Sequence, residues 1–340
     1  MPIKRVKEAI EEIKKGNMIV MIDDEDRENE GDLVYAATFS TPQKVNFMAM
    51  EGRGLICVAV SKKIAKKLNL EPMVKNNSSS YETAFTVSVD AKDATTGISA
   101  YERDLTIKLL ASPFSTPQDF VKPGHIFPLV AKEGGVLVRT GHTEGSVDLC
   151  RLAGLREAAV ICEIMNENGT MARREDLERF AKKHNLKIVY ISDIVEYRLK
   201  NESLIEKIDE KVLDFFDVKV KKVDFKDHLD NIHTAIIFYN PHETSNVKFH
   251  NVLSDKDLLL NQKRYRSLID SIEYLKKNSG ILIFINSPSI TVDQTKEFGV
   301  GAQILKKLGV KNIKLITSHK GKDFIGLSGF GLNIVDEIEI

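Results

Sequence analysis

Cysteine is scarce in this 340-residue chain, and what there is lies in one half. Cys57, Cys150 and Cys162 are odd in number and widely spaced. They form no metal-type pair, and they point to reduced thiols in a cytoplasmic chain. Long apolar runs are missing too, so no stretch is suited to crossing a membrane. Met1 to Gly16 is charged and amphipathic, without the apolar core or small-residue cleavage site of a secretory signal. Net charge is also absent: 49 basic residues balance 49 acidic ones. That balance gives no support to nucleic-acid or membrane-surface binding. The apolar fraction of 42% is ordinary for a globular protein. The length exceeds one ordinary core, so two domains are expected.

What the chain does have is a dense acidic stretch. Asp23 to Asp32 reads Asp-Asp-Glu-Asp-Arg-Glu-Asn-Glu-Gly-Asp, between apolar runs at Met18–Ile22 and Leu33–Ala37. Both runs read as short strands. An acidic run is most often a solvated loop. Here there is no spare length between the strands, Arg27 sits inside, and Gly31 permits a close turn before Asp32. Carboxylates this close repel unless a cation offsets them. A hard cation with oxygen ligands, such as magnesium, fits. The stretch reads as a metal and substrate loop.

Around it the pattern alternates. Val6, Ala9, Ile10 and Ile13 recur at helical spacing, with Gly16 at the C-cap. Thr41-Pro42 opens a helix to about Met50. Gly52-Arg53-Gly54 breaks it before a strand at Leu55–Val60, a short helix at Lys62–Leu68, and a strand at Phe85–Val89. A helical pattern carries Arg103, Thr106 and Ile107. Strands are expected at Val136–Arg139, Val160–Ile164 and Ile188–Ile191, with helices at Val147–Ala153 and Arg174–His184. Residues Arg198 to Glu210 are charged and helix-prone, the best place for a domain junction. Beyond it, strands at His233–Tyr239, Ile281–Ile285 and Ile313–Thr317 alternate with helices at Lys263–Lys277 and Gly299–Leu308, a second α/β domain.

Several first-half residues have chemistry to offer. A lone histidine is more often a core or surface residue than a ligand. His142, however, lies between Gly141 and Thr143 and follows Arg139. That segment offers the backbone, guanidinium and hydroxyl groups that hold a phosphate, and His142 pairs with Glu28 as a candidate metal ligand. His125 sits in a Pro-Gly-His turn, which either presents its ring or bonds it to a carbonyl. Glu163 interrupts an apolar strand. It is either an acid/base group or one half of a buried ion pair with an arginine such as Arg173. Together these residues describe a site for a phosphorylated, polyhydroxylated substrate on a divalent ion.

These segments, with Lys75 to Ser78 and the Glu163 strand running on to Asn168-Gly169-Thr170-Met171-Ala172, resemble 3,4-dihydroxy-2-butanone 4-phosphate synthase over about the first two hundred residues. The resemblance implies an α/β (α+β) fold: a synthase-type α/β sandwich in residues 1–200, then a second, smaller α/β domain in 201–340. It implies a lyase of riboflavin biosynthesis that converts D-ribulose 5-phosphate to dihydroxybutanone phosphate and formate. It further implies a homodimer formed through the first domain. Magnesium or manganese, two ions per site, would be held by Glu28 and His142. Arg27, Glu28, Asp32, Arg139, Thr140, Gly141, His142, Thr143 and Glu163 would contact substrate, with Arg139 and Thr143 on its phosphate. His125 and Glu163 would be the catalytic acid/base pair.

The second half resembles GTP cyclohydrolase II, most clearly from Gly299 to Leu305 and from Gly329 to Leu332. That family holds a catalytic zinc on three cysteines, and this half has none. Asn251 to Gln262 offers Ser254, Asp255 and Asn261 instead, and the segment at Asn286 to Glu297 is shortened. His242, His250 and His319 lack a recognised ligand spacing. Zinc is therefore not expected. A catalytically silent second domain leads. The alternatives are a bifunctional enzyme with GTP cyclohydrolase II activity, or a nucleotide-sensing or assembly module.

Overall fold

Apolar alternation and helical spacing build two mixed α/β units. The computed structural model describes residues 2–199, 202–239, 241–286, 298–318 and 330–340. The chain divides into Met1–Lys200 and Asn201–Ile340. His319 and residues 287–297 of the shortened segment lie outside the described residues, as does Gly329.

In the first unit the strands are β1 (Ile19–Ile22), β2 (Gly31–Ala36), β3 (Cys57–Ser61), β4 (Val89–Ala91), β5 (Phe120–Ala131), β6 (Ala158–Glu163) and β7 (Lys187–Tyr190). They form one sheet in the order β4-β5-β3-β6-β2-β1-β7. The helices are α1 (Pro2–Lys14), α2 (Pro42–Phe47), α3 (Lys62–Lys67), α4 (Ala100–Ala111), α5 (His142–Leu152), α6 (Arg174–Lys183) and α7 (Ile191–Leu199).

Helices cover both faces of the sheet, and β1 and β2 are buried along their whole length. Val20, Leu33, Tyr35, Val58, Val160 and Cys162 join one core with Val45, Ile107 and Leu177, on the side of α2, α4 and α6. Each such aliphatic side chain contributes roughly 1.5–3 kcal/mol by leaving water. Alternation turns Asp32, Val34, Ile161 and Glu163 to the other face, where α5 packs on β2, β3 and β6. That parity decides where the polar ends of these strands go.

Local chemistry sets the ends of the elements. Gly16 takes φ +78° after α1, and Thr41 accepts a hydrogen bond from Lys44 N at 3.3 Å to cap α2. Gly31 serves another purpose than a turn. It lies within β2, and a Cβ there would come within 2.7 Å of Leu177.

Four expected elements are corrected. Val136–Arg139 is no strand: Gly135–Leu137 is a 3-10 turn, because Gly134 and Gly135 take φ +94° and +61°. Phe85–Val89 is replaced by β4, which begins at Val89; Phe85 and Thr86 make only isolated bridges to Leu129 and Pro72. Among the described residues, the charged 198–210 stretch is not helical from Glu202 on. It enters β8 (Ile205–Phe215), which pairs antiparallel with β9 (Val218–Asp227). Phe216 and Asp217, both at positive φ, form the two-residue turn between them. Helix α5 starts at His142 rather than Val147.

The second unit adds β10 (Ile232–Phe238), β11 (Thr244–Asn251), β12 (Gly280–Ile285), β13 (Asn312–Thr317) and β14 (Asn333–Glu339). Its sheet order is β14-β13-β11-β12-β10-β9-β8, with α8 (Asp255–Leu260), α9 (Gln262–Asn278) and α10 (Phe298–Lys307).

Candidate active site

Four chain segments bring their polar residues to one edge of the first sheet. The acidic loop leaves β1 at Ile22 and re-enters β2 at Gly31. Asp23 organises it. Its carboxylate accepts from Arg27 Nη1 (2.7 Å), Glu28 N (3.1 Å) and Glu30 N (2.8 Å), so one side chain ties down three points of the loop. Arg27 is buried between Asp23 and Glu28, which it meets at 2.8 Å. The Tyr81 ring lies 5.1 Å from the Arg27 guanidinium, and its hydroxyl donates to Arg27 O at 2.8 Å.

His142 opens α5 and points at this loop. Its Nδ1 is 3.7 Å from Glu28 Oε2, and its Nε2 is 4.0 Å from Asp32 Oδ1. Burial opposes charge on His142, but Asp32 and Glu28 overcome it and raise its pKa to about 9. Burial likewise works against the Glu28 carboxylate, yet His142 and Arg27 hold it down at about 2. Asp32 goes the other way. Burial, aided by Glu163, Glu28 and Asp23, lifts it to about 8 against the pull of His142. This corner is a concentration of negative charge around one imidazole.

Asp32 sits directly opposite Glu163 in the β2–β6 register, so the two side chains share the face turned to α5. Glu163 Oε2 accepts from Leu55 N at 2.8 Å. Gly54 makes that contact feasible, since a Cβ there would lie 2.6 Å from Glu163 Oε2. Arg173 is not the partner of Glu163: it donates to Glu28 O and Asn29 O, both at 2.6 Å. The ion-pair alternative for Glu163 is thereby corrected.

His125 lies farther along the same edge. Cys57 pairs with Phe127 on one side and Ile161 on the other. His125 precedes Phe127 by two residues and Glu163 follows Ile161 by two, so they stand on the two strands that flank β3. His125 does not bond a carbonyl through its ring. Asp90 Oδ2 meets its Nδ1 at 2.8 Å, and Asp90 Oδ1 accepts from its backbone N at 2.8 Å. Gly97 leaves room for this pair, since its Cβ would fall 2.0 Å from Asp90 Oδ2.

Arg139 also reaches the cluster's surroundings. Its Nη1 donates to Glu144 Oε2 at 2.6 Å, and its Nη2 to Tyr81 O at 3.0 Å and Thr83 Oγ1 at 3.3 Å. Thr140, Gly141 and Thr143 are buried around the start of α5. Asp23, Asp90, Tyr81 and Glu144 were not singled out from sequence. Asp90 had a faint signal, a carboxylate in the otherwise apolar Val89–Ala91 run; the others had none that distinguishes them from neighbouring polar residues.

The donor set suits a hard divalent ion. His142 Nε2 is buried without a hydrogen-bond partner, which is costly for a polar atom unless something is to be bound there. Ligand atoms of Asp23, Glu28 and His142 come within 4.8 Å of one another. Asp23 already accepts three hydrogen bonds, which leaves Glu28 and His142 as the available pair. Carboxylate and imidazole together suit magnesium or manganese.

The second unit differs in kind. Its cleft at the C-terminal ends of β11 and β13 is lined by Lys248, His250 and Arg264 and by the apolar Leu268, Leu315 and Ile316, basic groups on a largely apolar wall without thiols. Ser254 caps α8 by accepting from Asp257 N, and Asn261 caps α9 by accepting from Arg264 N. These side chains are occupied as helix caps.

The family model for 3,4-dihydroxy-2-butanone 4-phosphate synthase matches residues 7–197, and that for GTP cyclohydrolase II matches residues 290–339. A 3,4-dihydroxy-2-butanone 4-phosphate synthase of Sulfurospirillum multivorans is 60% identical over 338 residues, covering 99% of this chain and 95% of its own. The crystal structure of RibBX, a two-domain 3,4-dihydroxy-2-butanone 4-phosphate synthase from A. baumannii, is 38% identical. It covers 98% of both chains with a TM-score of 0.68. A 3,4-dihydroxy-2-butanone 4-phosphate synthase in complex with two magnesium ions is 41% identical, covering 58% of this chain and 97% of its own, with a TM-score of 0.56. The chain belongs to the 3,4-dihydroxy-2-butanone 4-phosphate synthase family and acts in riboflavin biosynthesis.

Proposed function

We propose that the sheet edge holding Glu28, His142, Asp32, Glu163 and His125 converts D-ribulose 5-phosphate to L-3,4-dihydroxy-2-butanone 4-phosphate and formate. The observation that carries this reading is the buried Nε2 of His142, which lacks a hydrogen-bond partner beside Asp32, on a ring whose Nδ1 faces Glu28. Magnesium or manganese, two ions per site, is the cofactor; a relative was solved in complex with two magnesium ions. When bound, the metal supplies a Lewis acid for the negative charge that develops on adjacent oxygens as a ketose enolises.

The chain's own residues do the rest. Arg27, Asp32 and the Arg139–Thr143 segment orient the sugar phosphate, with Arg139 and Thr143 on the phosphate. Engaging the phosphate requires Arg139 to share its guanidinium with Glu144, and its spare donors allow that. Glu163 and His125, on the two strands that flank β3, move protons at different carbons. Asp90 fixes the orientation of the His125 ring, as carboxylates do for catalytic imidazoles. The test is formate release from ribulose 5-phosphate by the full chain with added magnesium or manganese. Turnover that persists after exhaustive chelation would contradict the metal assignment.

The first unit, residues 1–200, is the synthase domain and forms a homodimer. Exposed apolar side chains on it, Tyr101 at 72% and Phe114 at 89%, favour association. Among the described residues no helix is long and apolar enough to cross a membrane. The protein works in the cytoplasm, without nucleic acid or membrane partners.

The second unit, 201–340, is a domain of GTP cyclohydrolase II type without its chemistry, and it supports the first through assembly or stability. A zinc site cannot be built from helix-capping Ser254 and Asn261 beside His250. The full chain is expected to hold no stoichiometric zinc and to release no formate from GTP. A chain ending near Asn201 is expected to keep synthase activity, with lower solubility or altered assembly. One zinc per chain together with formate from GTP would restore the bifunctional alternative.

A further inference from the structure

We infer that Asp148 and Arg198 form a positioning pair that sets the turn presenting Arg139, and so governs how tightly the enzyme holds its substrate's phosphate. The inference rests on the assignment of Arg139 to that phosphate.

The turn runs from the end of β5 at Ala131 to the start of α5 at His142. Within it, Val138 N and Arg139 N both donate to Gly135 O, at 2.9 and 3.1 Å. Its outer ties come from two α5 carboxylates one helical turn apart. Glu144 accepts from Lys132 N at 3.0 Å and from Arg139 Nη1 at 2.6 Å. Asp148 Oδ2 accepts from Val136 N at 2.9 Å. Arg198, near the end of α7, then closes the far side. Its Nη1 donates to Gly134 O and to Asp148 Oδ2, each at 2.7 Å.

The pair is buried, with Arg198 only 1% and Asp148 3% exposed. Ionic groups this buried carry a heavy desolvation cost, and an apolar pair of similar volume often packs as stably. What an apolar pair cannot do is hold Gly134 O and Val136 N, two backbone groups on successive points of the same turn. The fit is close: a Cβ on Gly135 would lie 2.3 Å from Asp148 Oδ1. The turn is therefore seated against the carboxylate, and the guanidinium locks the carboxylate. Neither side chain touches the substrate site, so both act through Arg139. Guanidinium–phosphate recognition depends on fork geometry, and a shift of about 1 Å is enough to lose it.

The experiment uses the full-length chain with the double substitution Asp148→Leu/Arg198→Met, which leaves no buried charge unpaired. KM and kcat are read from formate release, and substrate Kd from calorimetry with ribulose 5-phosphate. Expected is a KM and Kd increase on the order of ten- to a hundredfold, with kcat largely retained and cooperative unfolding at a lowered thermal midpoint, because Val136 N and Gly134 O lose their partners. Arg139→Ala alone should weaken binding similarly, and adding it to the double variant should cost little more, because the groups act as one unit. Parent-like affinity in the double variant, with Arg139→Ala impaired, would overturn the positioning role. An Arg139→Ala enzyme of unchanged affinity would instead overturn the phosphate assignment. Should the double variant not fold, Arg198→Lys decides. It keeps the charge but not both contacts, so it should raise KM by a smaller factor, and an unchanged KM would refute the inference.

Discussion

Glu28→Gln and His142→Ala are each expected to abolish formate release from ribulose 5-phosphate in a protein that still folds. Glutamine keeps the shape of Glu28 but removes the charge that an ion needs. Alanine removes the imidazole whose Nε2 has no hydrogen-bond partner among the described residues. Neither side chain belongs to the apolar core beneath the sheet. Glu28 also pairs with Arg27, so a lower thermal midpoint is expected in Glu28→Gln without loss of cooperative unfolding. Near-normal turnover at saturating magnesium in either variant would remove that residue from the site.

The second large effect is expected at the acid/base pair. Glu163→Gln preserves the hydrogen bond accepted from Leu55 N but cannot exchange a proton. A loss in kcat on the order of 10²-fold or more is expected, the usual scale for such a group. His125→Ala should behave similarly. Asp90→Asn should show a smaller loss of the same kind, because it misorients the ring rather than deleting it. A variant at Glu163 or His125 whose only defect is weaker substrate binding would mean that the residue positions the sugar and does not transfer protons.

Much of the site was legible because its signals are local. The acidic loop stands out as charge compressed between two apolar runs, and the Gly-His-Thr segment as polar groups at a chain turn. Glu163 stood out as a carboxylate in an apolar strand. Its true partner did not, because Leu55 N reaches it only through the register between β3 and β6. Arg173 was the nearest plausible cation in sequence, yet it serves the carbonyls of the acidic loop. Asp90 is hidden for the same reason: it meets His125 through the pairing of β4 with β5, 35 residues apart. Gly31 was read as permitting a close turn before Asp32, but it lies within β2, and its cause is the approach of Leu177 from α6.

Fold errors fell where composition and tertiary context disagree. Lys, Glu and Asp favour helix, so β8 was read as helix-prone. Ten residues of antiparallel pairing with β9 and a positive-φ turn override that preference. Val136 to Arg139 has the look of a strand, but two left-handed glycines ahead of it and the Asp148 carboxylate on Val136 N curl it into a turn. In the second unit, β11 and β14 carry too many polar residues to read as strands, and they form because parallel neighbours supply the hydrogen bonds.

The central claim, that Glu28 and His142 hold the catalytic ion at this sheet edge, is tested most directly by calorimetric titration of manganese into the metal-free full chain and its Glu28→Gln variant. Tight binding in the parent, lost in the variant while its folded structure is retained, is the result predicted here. Equal manganese affinity in the two proteins would contradict it and move the ion elsewhere.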